Sequence, residues 1–399
     1  MLQTPPPAAA PVWDWQPALP AAAAWPVSLL QLQGQDSLRF LHGQSSQAIE
    51  LASPGAWLST CCISPTARLR ALAEVLVDDD GAWLVIRSGD GAAVRQSLDR
   101  VLFPADAVRL GPLRSGLLLT PVQEGAERSL SAAEGERWRP LQGGEGFWLG
   151  EQLLLLDANR DDANGDDPEA LQAAALEPAA LEPAARQLLS LRRLTAEEQE
   201  RWRLQLGLPL GPLELCDDTN PFEVGLAPRV SLSKGCYVGQ ETLAKLATYD
   251  GVRRQLRRWS VPADAAAAAT LAPGAALQTA GGERAGQITS SLQLPGEGLW
   301  IGLALVRRQA LMETTLYSGA PQAGEGELAA SSSPTATEPS PQLTVPLPVV
   351  PQPAASPEGA VLAAGVGAAS SQGLVLQISR PPAFVDPPVG AGGARAAGS

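Results

Sequence analysis

Alternation of apolar and polar positions recurs along the first third of the chain and predicts most of its elements. Val27, Leu29, Leu30 and Leu32 predict a strand, and Gln35-Asp36-Ser37 predicts the cap of a helix carrying Leu38, Phe40 and Leu41. Residues 56–63 and 69–77 alternate well enough for two strands joined by the turn 64–68. Asp78-Asp79-Asp80-Gly81 then turns the chain into a strand over 82–86, which makes a succession of hairpins. Residues 90–102 place Ala93, Val94, Leu98, Val101 and Leu102 at helical spacing. Residues 271–317 read as a small β domain with Gly and Pro turns, and 373–378 as one more strand.

Between these patterned segments lie stretches of low complexity. Residues 1–24 are rich in Pro and Ala and predict a disordered lead-in. Residues 159–185, with the near repeat AALEPAA, predict a surface excursion. Residues 318–372 fill with Pro, Ser, Ala and Gly and predict a disordered insertion; 381–399 read as a tail.

Composition narrows the functional classes. The chain has 399 residues, 45% hydrophobic and 18% charged, as expected of a soluble globular protein with disordered additions. A net charge of -13 argues against a protein whose main role is to coat nucleic acid. Cys61, Cys62, Cys216 and Cys236 show no CxxC spacing, which favours a reducing, cytoplasmic setting. The N-terminus lacks the basic residues of a secretory or transit signal, and no apolar run reaches the roughly 20 residues of a membrane helix. One histidine, His42, leaves little room for mechanisms built on several; it is expected to be structural, at the end of a short helix. The acidic runs 78–80 and 161–167 do not match a calcium loop and read as solvated turns, so no metal site is assigned.

The chemistry concentrates in Lys234-Gly235-Cys236-Tyr237-Val238-Gly239-Gln240-Glu241. Gly235 and Gly239 free the backbone for a tight loop, and Leu243, Leu246 and Ala247 predict a helix directly after it. Amides at that helix start, together with Lys234, would favour the Cys236 thiolate as nucleophile or metal ligand. The bland alternative, a small buried hydrophobe, remains open.

These eight residues resemble the signature of the YgfZ family, folate-binding proteins related to the glycine cleavage T-protein, an aminomethyltransferase. Two further stretches fit the resemblance. Arg203-Leu204-Gln205-Leu206-Gly207-Leu208-Pro209 resembles the family's Arg-x-(Glu/Gln)-x-Gly-x-Pro turn, and Pro221-Phe222-Glu223-Val224-Gly225-Leu226 its Pro-x-Glu-x-Gly-Leu element. The opening strand, turn and helix resemble the family's too, departing at Gln47-Ala48, where relatives often carry Asn-Asp.

The resemblance implies α+β domains around a central hole with a C-terminal β barrel, an aminomethyltransferase-like folate-binding fold. The folate-binding region would span 25–260, in two subdomains, and the barrel 261–317 plus 373–380. It implies bound tetrahydrofolate and a role in iron-sulfur cluster assembly or repair, with partners among iron-sulfur enzymes or assembly proteins and an indirect effect on tRNA modification. Glu223 would accept paired N–H bonds from the pterin edge, the alternative being a carboxylate that satisfies local amides. Gln205 could offer one acceptor, Arg203 belongs to the same turn, and Tyr237, Gln240 and Glu241 would shape the loop that presents Cys236, with Lys234 stabilising its thiolate. A true aminomethyltransferase is the competing enzyme reading. A third reading is direct tRNA contact through Arg253, Arg254, Arg257 and Arg258; in an acidic protein the solvated face of a strand is preferred for them.

Overall fold

The computed structural model describes residues 12–122, 135–156, 180–263, 268–319 and 373–388. All of the elements below belong to one unit, Met1–Gly319 with Leu374–Ser399.

Nine strands form the first sheet. They are β1 (Ala21–Gln33), β2 (Trp57–Ile63), β3 (Leu69–Val77), β4 (Gly81–Ser88), β5 (Arg109–Pro121), β6 (Trp138–Pro140), β7 (Gly146–Leu149), β8 (Gln152–Leu156) and β9 (Arg192–Arg193). Their order is β2-β3-β4-β1-β5-β8-β7-β6, with β9 added alongside β1. A bridge between Ala56 and Arg137 joins the two far edges, so the sheet curls back on itself. Helices α1 (Ser37–Gln44) and α2 (Gly91–Asp99) cover one face through Phe40, Leu41, Val94 and Leu98. The Asp90 side chain caps α2 by accepting from the Ala93 amide at 3.0 Å.

The chain starts earlier than its alanine content predicts. Ala21 to Ala24 belong to β1 because β5 and β9 pair with them, Ala22 opposite Pro121 and Ala21 opposite Arg192. Small side chains are needed there: Ala21 and Ala23 pack under Trp202 and Leu206 of α4 (Ala196–Leu206). Residues 12–24, expected in a loose lead-in, are therefore part of the fold. Helix α3 (Pro183–Ser190) precedes α4; the excursion expected over 159–185 falls largely at 157–179, outside the described residues. A full capping box between Thr195 and Glu198 starts α4, and Gly207 at φ 73° ends it.

Six strands close into a barrel in the order β10-β13-β12-β11-β14-β15. They are β10 (Arg254–Pro262), β11 (Ala276–Gln278), β12 (Arg284–Leu294), β13 (Leu299–Arg307), β14 (Thr315–Ser318) and β15 (Leu374–Ser379). The barrel thus begins at Arg254, ahead of the expected boundary at 261. Strand β15 sits between β14 and β10 and completes the closure. Residues 320–372 lie outside the described residues. The segment after β15, read as a tail, instead returns to the core: Phe384 is buried among Phe222, Val224 and Leu256.

Arg257 and Arg258 do not form a solvated face. The Arg257 guanidinium lies 5.4 Å from the Phe384 ring centre, and that of Arg258 lies 4.6 Å from the Trp13 ring and donates to the Gln205 carbonyl at 2.7 Å. Burial pulls both down to about 10. The reason is topological: β10 runs along the junction of barrel and sheet, so these side chains meet protein rather than water.

Candidate functional site

Helix α5 (Gln240–Thr248) follows the cysteine loop, and Gly239 provides the turn into it at φ 80°. A Cβ there would meet the Ser64 carbonyl at 2.8 Å, so the site needs glycine twice over. Cys236 is exposed on the loop. Beneath it the loop is anchored to the end of α1. The Val238 amide donates to the Gly43 carbonyl at 3.0 Å, and the Lys234 ammonium donates to the carbonyls of His42, Ser45 (2.7 Å) and Gln47 (2.8 Å). Lys234 is buried and lies 4.1 Å from the Tyr237 ring centre. Burial pulls its pKa down to about 7, while the carbonyls and the ring face favour the charged form. Its ammonium is thus committed inward to residues 42–47, whereas the thiol faces solvent.

The other loop residues have local duties. Tyr237 is buried, its pKa pushed up to about 12 by that burial. Gln240 donates to the Lys234 carbonyl at 3.1 Å, and Glu241 pairs with Lys245 at 2.7 Å on the exposed side of α5, which holds its carboxyl below the usual range. His42 belongs to the same neighbourhood. Its Nδ1 accepts from the amides of Ile49 (3.2 Å) and Glu50 (3.1 Å), and its Nε2 faces Gly235.

The two upstream motifs meet around an apolar cavity of about 410 Å³. Leu208, Pro209 and Leu210 supply one wall, Val224 to Leu226 a second, and Trp25 and Leu72 of the sheet a third. Pro382, Ala383 and Val385 close it. Two arginines complete the lining, Arg87 and Arg229. Both are held by Glu74, which is fully buried: Arg229 pairs with it at 2.8 Å and Arg87 at 3.5 Å, while Trp57 Nε1 and Ser59 Oγ donate to its other oxygen at 2.9 and 2.5 Å. Neither arginine was singled out from the sequence. Arg229 follows the Pro-x-Glu-x-Gly-Leu motif by three residues, which is the one local hint.

The predicted ligand residues of those motifs sit beside this cavity rather than in it. Glu223 is buried; its oxygens accept from Arg254 Nε at 3.0 Å and from the Asn220 amide at 3.1 Å. Burial raises its pKa against the pull of Arg254. Gln205 exchanges hydrogen bonds with the Trp15 backbone at 3.1 and 3.2 Å. Arg203 is consumed structurally, forking onto Glu200 at 2.7 Å and reaching Glu214 at 3.0 Å and Ser290 at 2.8 Å, which ties α4 to the barrel. Cys236 lines neither this cavity nor the larger cleft at the barrel, to which Glu223 contributes.

The wall chemistry fits a folate. A flat heterocycle suits the apolar surfaces, and the volume is within the range of small-molecule sites. The two guanidiniums are hydrogen-bonded within the fold, Arg229 also to the carbonyls of Thr60 and Ala73 and Arg87 also to Gln152, so what they offer a glutamate carboxylate is charge, two cations against the one carboxylate of Glu74.

No protein-family model matches the chain. A chloroplastic protein of Arabidopsis thaliana, named as a candidate transferase, is 24% identical over 293 residues, covering 70% of this chain. The match spans 63% of that relative's length, less than two thirds. The crystal structure of the glycine cleavage system aminomethyltransferase T from Bartonella henselae superposes with a TM-score of 0.52 at 18% identity, covering 75% of this chain and 82% of that one. No helix among the described residues is long and apolar enough to cross a membrane. A curled sheet joined to a closed six-stranded barrel, in this order, is the aminomethyltransferase-like fold.

Proposed function

We propose that the protein binds tetrahydrofolate in the apolar cavity and uses its exposed Cys236 loop as an accessory factor for iron-sulfur cluster assembly or repair, in line with the YgfZ-like signature. The observation that carries the folate part is the convergence of both motif elements, Leu208-Pro209 and Val224 to Leu226, on one cavity with Trp25, Arg87 and Arg229. Arg87 and Arg229, two cations against the one carboxylate of Glu74, would favour the anionic glutamate end of the ligand at that wall. Leu72, Leu208 and Leu226 would keep water from its ring. Tetrahydrofolate, when bound, supplies one-carbon carrier chemistry. The separation of Cys236 from that cavity supports a thiol that serves partner proteins over one that takes a carbon unit directly. Effects on tRNA modification would then be indirect, through client enzymes.

The competing reading, an aminomethyltransferase of the glycine cleavage type, is favoured by the likeness to the Bartonella structure. Such a transfer calls for a general acid or base at the reacting group. No carboxylate is among the described residues lining the cavity, which supports the accessory reading. An assay of the glycine-cleavage half-reactions, paired with rescue of iron-sulfur enzyme activity in cells lacking the protein, separates the two. The accessory reading expects no turnover and loss of rescue in Cys236→Ser. Turnover of the aminomethyl carrier that survives this substitution would overturn it.

A further inference from the structure

The chain carries 42 acidic against 29 basic side chains, so a place where cations gather unopposed needs a reason. One such place is a cleft of about 990 Å³ between α5 and the end of the barrel where β10 and β12 begin and β13 ends. Six arginines and Lys245 line it, against the carboxylates of Asp218 and Glu223. Four of these cations are accounted for. Arg254 pairs with Glu223 at 3.0 Å and Asp218 at 2.9 Å, Lys245 with Glu241 at 2.7 Å, Arg308 with Asp250, and Arg68 donates to the Asp218 carbonyl at 2.8 Å. The guanidiniums of the other three, Arg253, Arg284 and Arg307, have no hydrogen bond or ion pair with any described residue.

The fold brings these three together from separate strands. Arg307 ends β13 and Arg253 precedes β10, two strands paired with Arg254 opposite Arg307. Arg284 begins β12, the other neighbour of β13. The Arg308 amide donates to the Arg253 carbonyl at 2.8 Å, and Gln309 Nε2 donates to the Arg284 carbonyl at 3.4 Å, which fixes the three backbones around one mouth. Like charges lining one cleft raise the local potential and favour an anion. Guanidinium forks match phosphate oxygens in pairs. Single-stranded nucleic acid would also call for rings on which bases stack, and none of the described lining residues is aromatic.

We propose that this cleft binds a small molecule bearing two or more phosphate groups, held by Arg253, Arg284 and Arg307. The site is separate from the folate reading and stands without it. The test is calorimetric titration of the full chain at low salt with sodium tripolyphosphate, with ATP in the absence of divalent cations, and with a short single-stranded RNA. Saturable one-to-one binding of tripolyphosphate or ATP is expected, weakened at least about tenfold in the variant combining Arg253→Gln, Arg284→Gln and Arg307→Gln. All three side chains are exposed, so the variant keeps the parent's thermal midpoint, and Arg100→Gln, an exposed arginine on another surface, keeps the parent's affinity. ATP binding more tightly than tripolyphosphate assigns the ligand to nucleotides; equal affinity assigns it to polyphosphate. Absence of saturable binding by both, binding that the triple variant retains, or binding of the RNA alone would overturn the proposal.

Discussion

Gly225 lies beneath the ring of Phe384, so close that a Cβ on Gly225 would come within 2.6 Å of the ring's Cδ2. The Val385 amide donates to the Gly225 carbonyl at 3.1 Å, and Gly207 is covered by Pro381 in the same way. Both motif glycines thus seat the C-terminal segment that closes the apolar cavity. Gly225 has φ 79°, so Gly225→Ala should cost about 1–2 kcal/mol from the left-handed backbone alone, with displacement of Phe384 adding to it. Urea unfolding checks this. An unchanged midpoint would show that the segment does not need the glycine.

Glu74 is the shared anchor of Arg87 and Arg229. Glu74→Ala should destabilise the fold by about 3–5 kcal/mol, because it leaves two inward-facing guanidiniums without their carboxylate. Glu74→Gln, which keeps one acceptor oxygen, should lie between the parent and Glu74→Ala. Denaturant titrations of the pair test the order.

His42 is the single histidine, so its titration is unambiguous by NMR. Burial first, and then the Lys234 charge, lower its pKa from the ordinary 6.5, with Glu50 opposing. Below 6.5 the unfolded chain therefore binds more protons than the folded one, and stability falls as pH drops toward the folded pKa. The structural reason is that protonating Nδ1 removes the acceptor for two amides. The thermal midpoint should decline as the pH falls below 6.5, and His42→Asn, which keeps an acceptor and cannot titrate, should flatten that part of the profile.

Three of the four cysteines, Cys61, Cys62 and Cys236, should separate by reactivity. Cys236 is exposed, whereas burial pushes Cys61 and Cys62 up to about 12. A chromogenic disulfide reagent at pH 8 should label Cys236 first in the native protein and reach Cys61 only on unfolding. Cys236→Ser should remove the fast phase and change stability by no more than about 0.5 kcal/mol.

Much of this architecture is legible in local pattern. Residues 56–63 and 69–77 became β2 and β3 nearly to the residue, so their lengths were legible, but not a core-facing side, since every residue of β3 except Arg70 is buried. Ala21 to Ala24 gave no such signal, since alanine has little preference for strands and the pairing with β5 and β9 makes them one. At the signature, glycine placement and helix formers announced a loop before a helix. The destination of the Lys234 ammonium was not legible, because its acceptors lie 187 to 192 residues back along the chain. Glu223 and Gln205 were read from the motifs they belong to, but their partners Arg254 and Trp15 are set by tertiary approach. Arg87 and Arg229 come from distant segments and gain meaning only where Glu74 joins them.

Occupation of the apolar cavity is what a binding measurement can settle most directly. Tetrahydrofolate should be titrated calorimetrically into the full-length protein and into Ala383→Trp, a substitution on the covering segment that would fill the cavity. One-site binding by the parent and none by the variant, at equal thermal midpoints, is the predicted result. A folded parent that releases no heat, or a variant that binds as well as the parent, would contradict it.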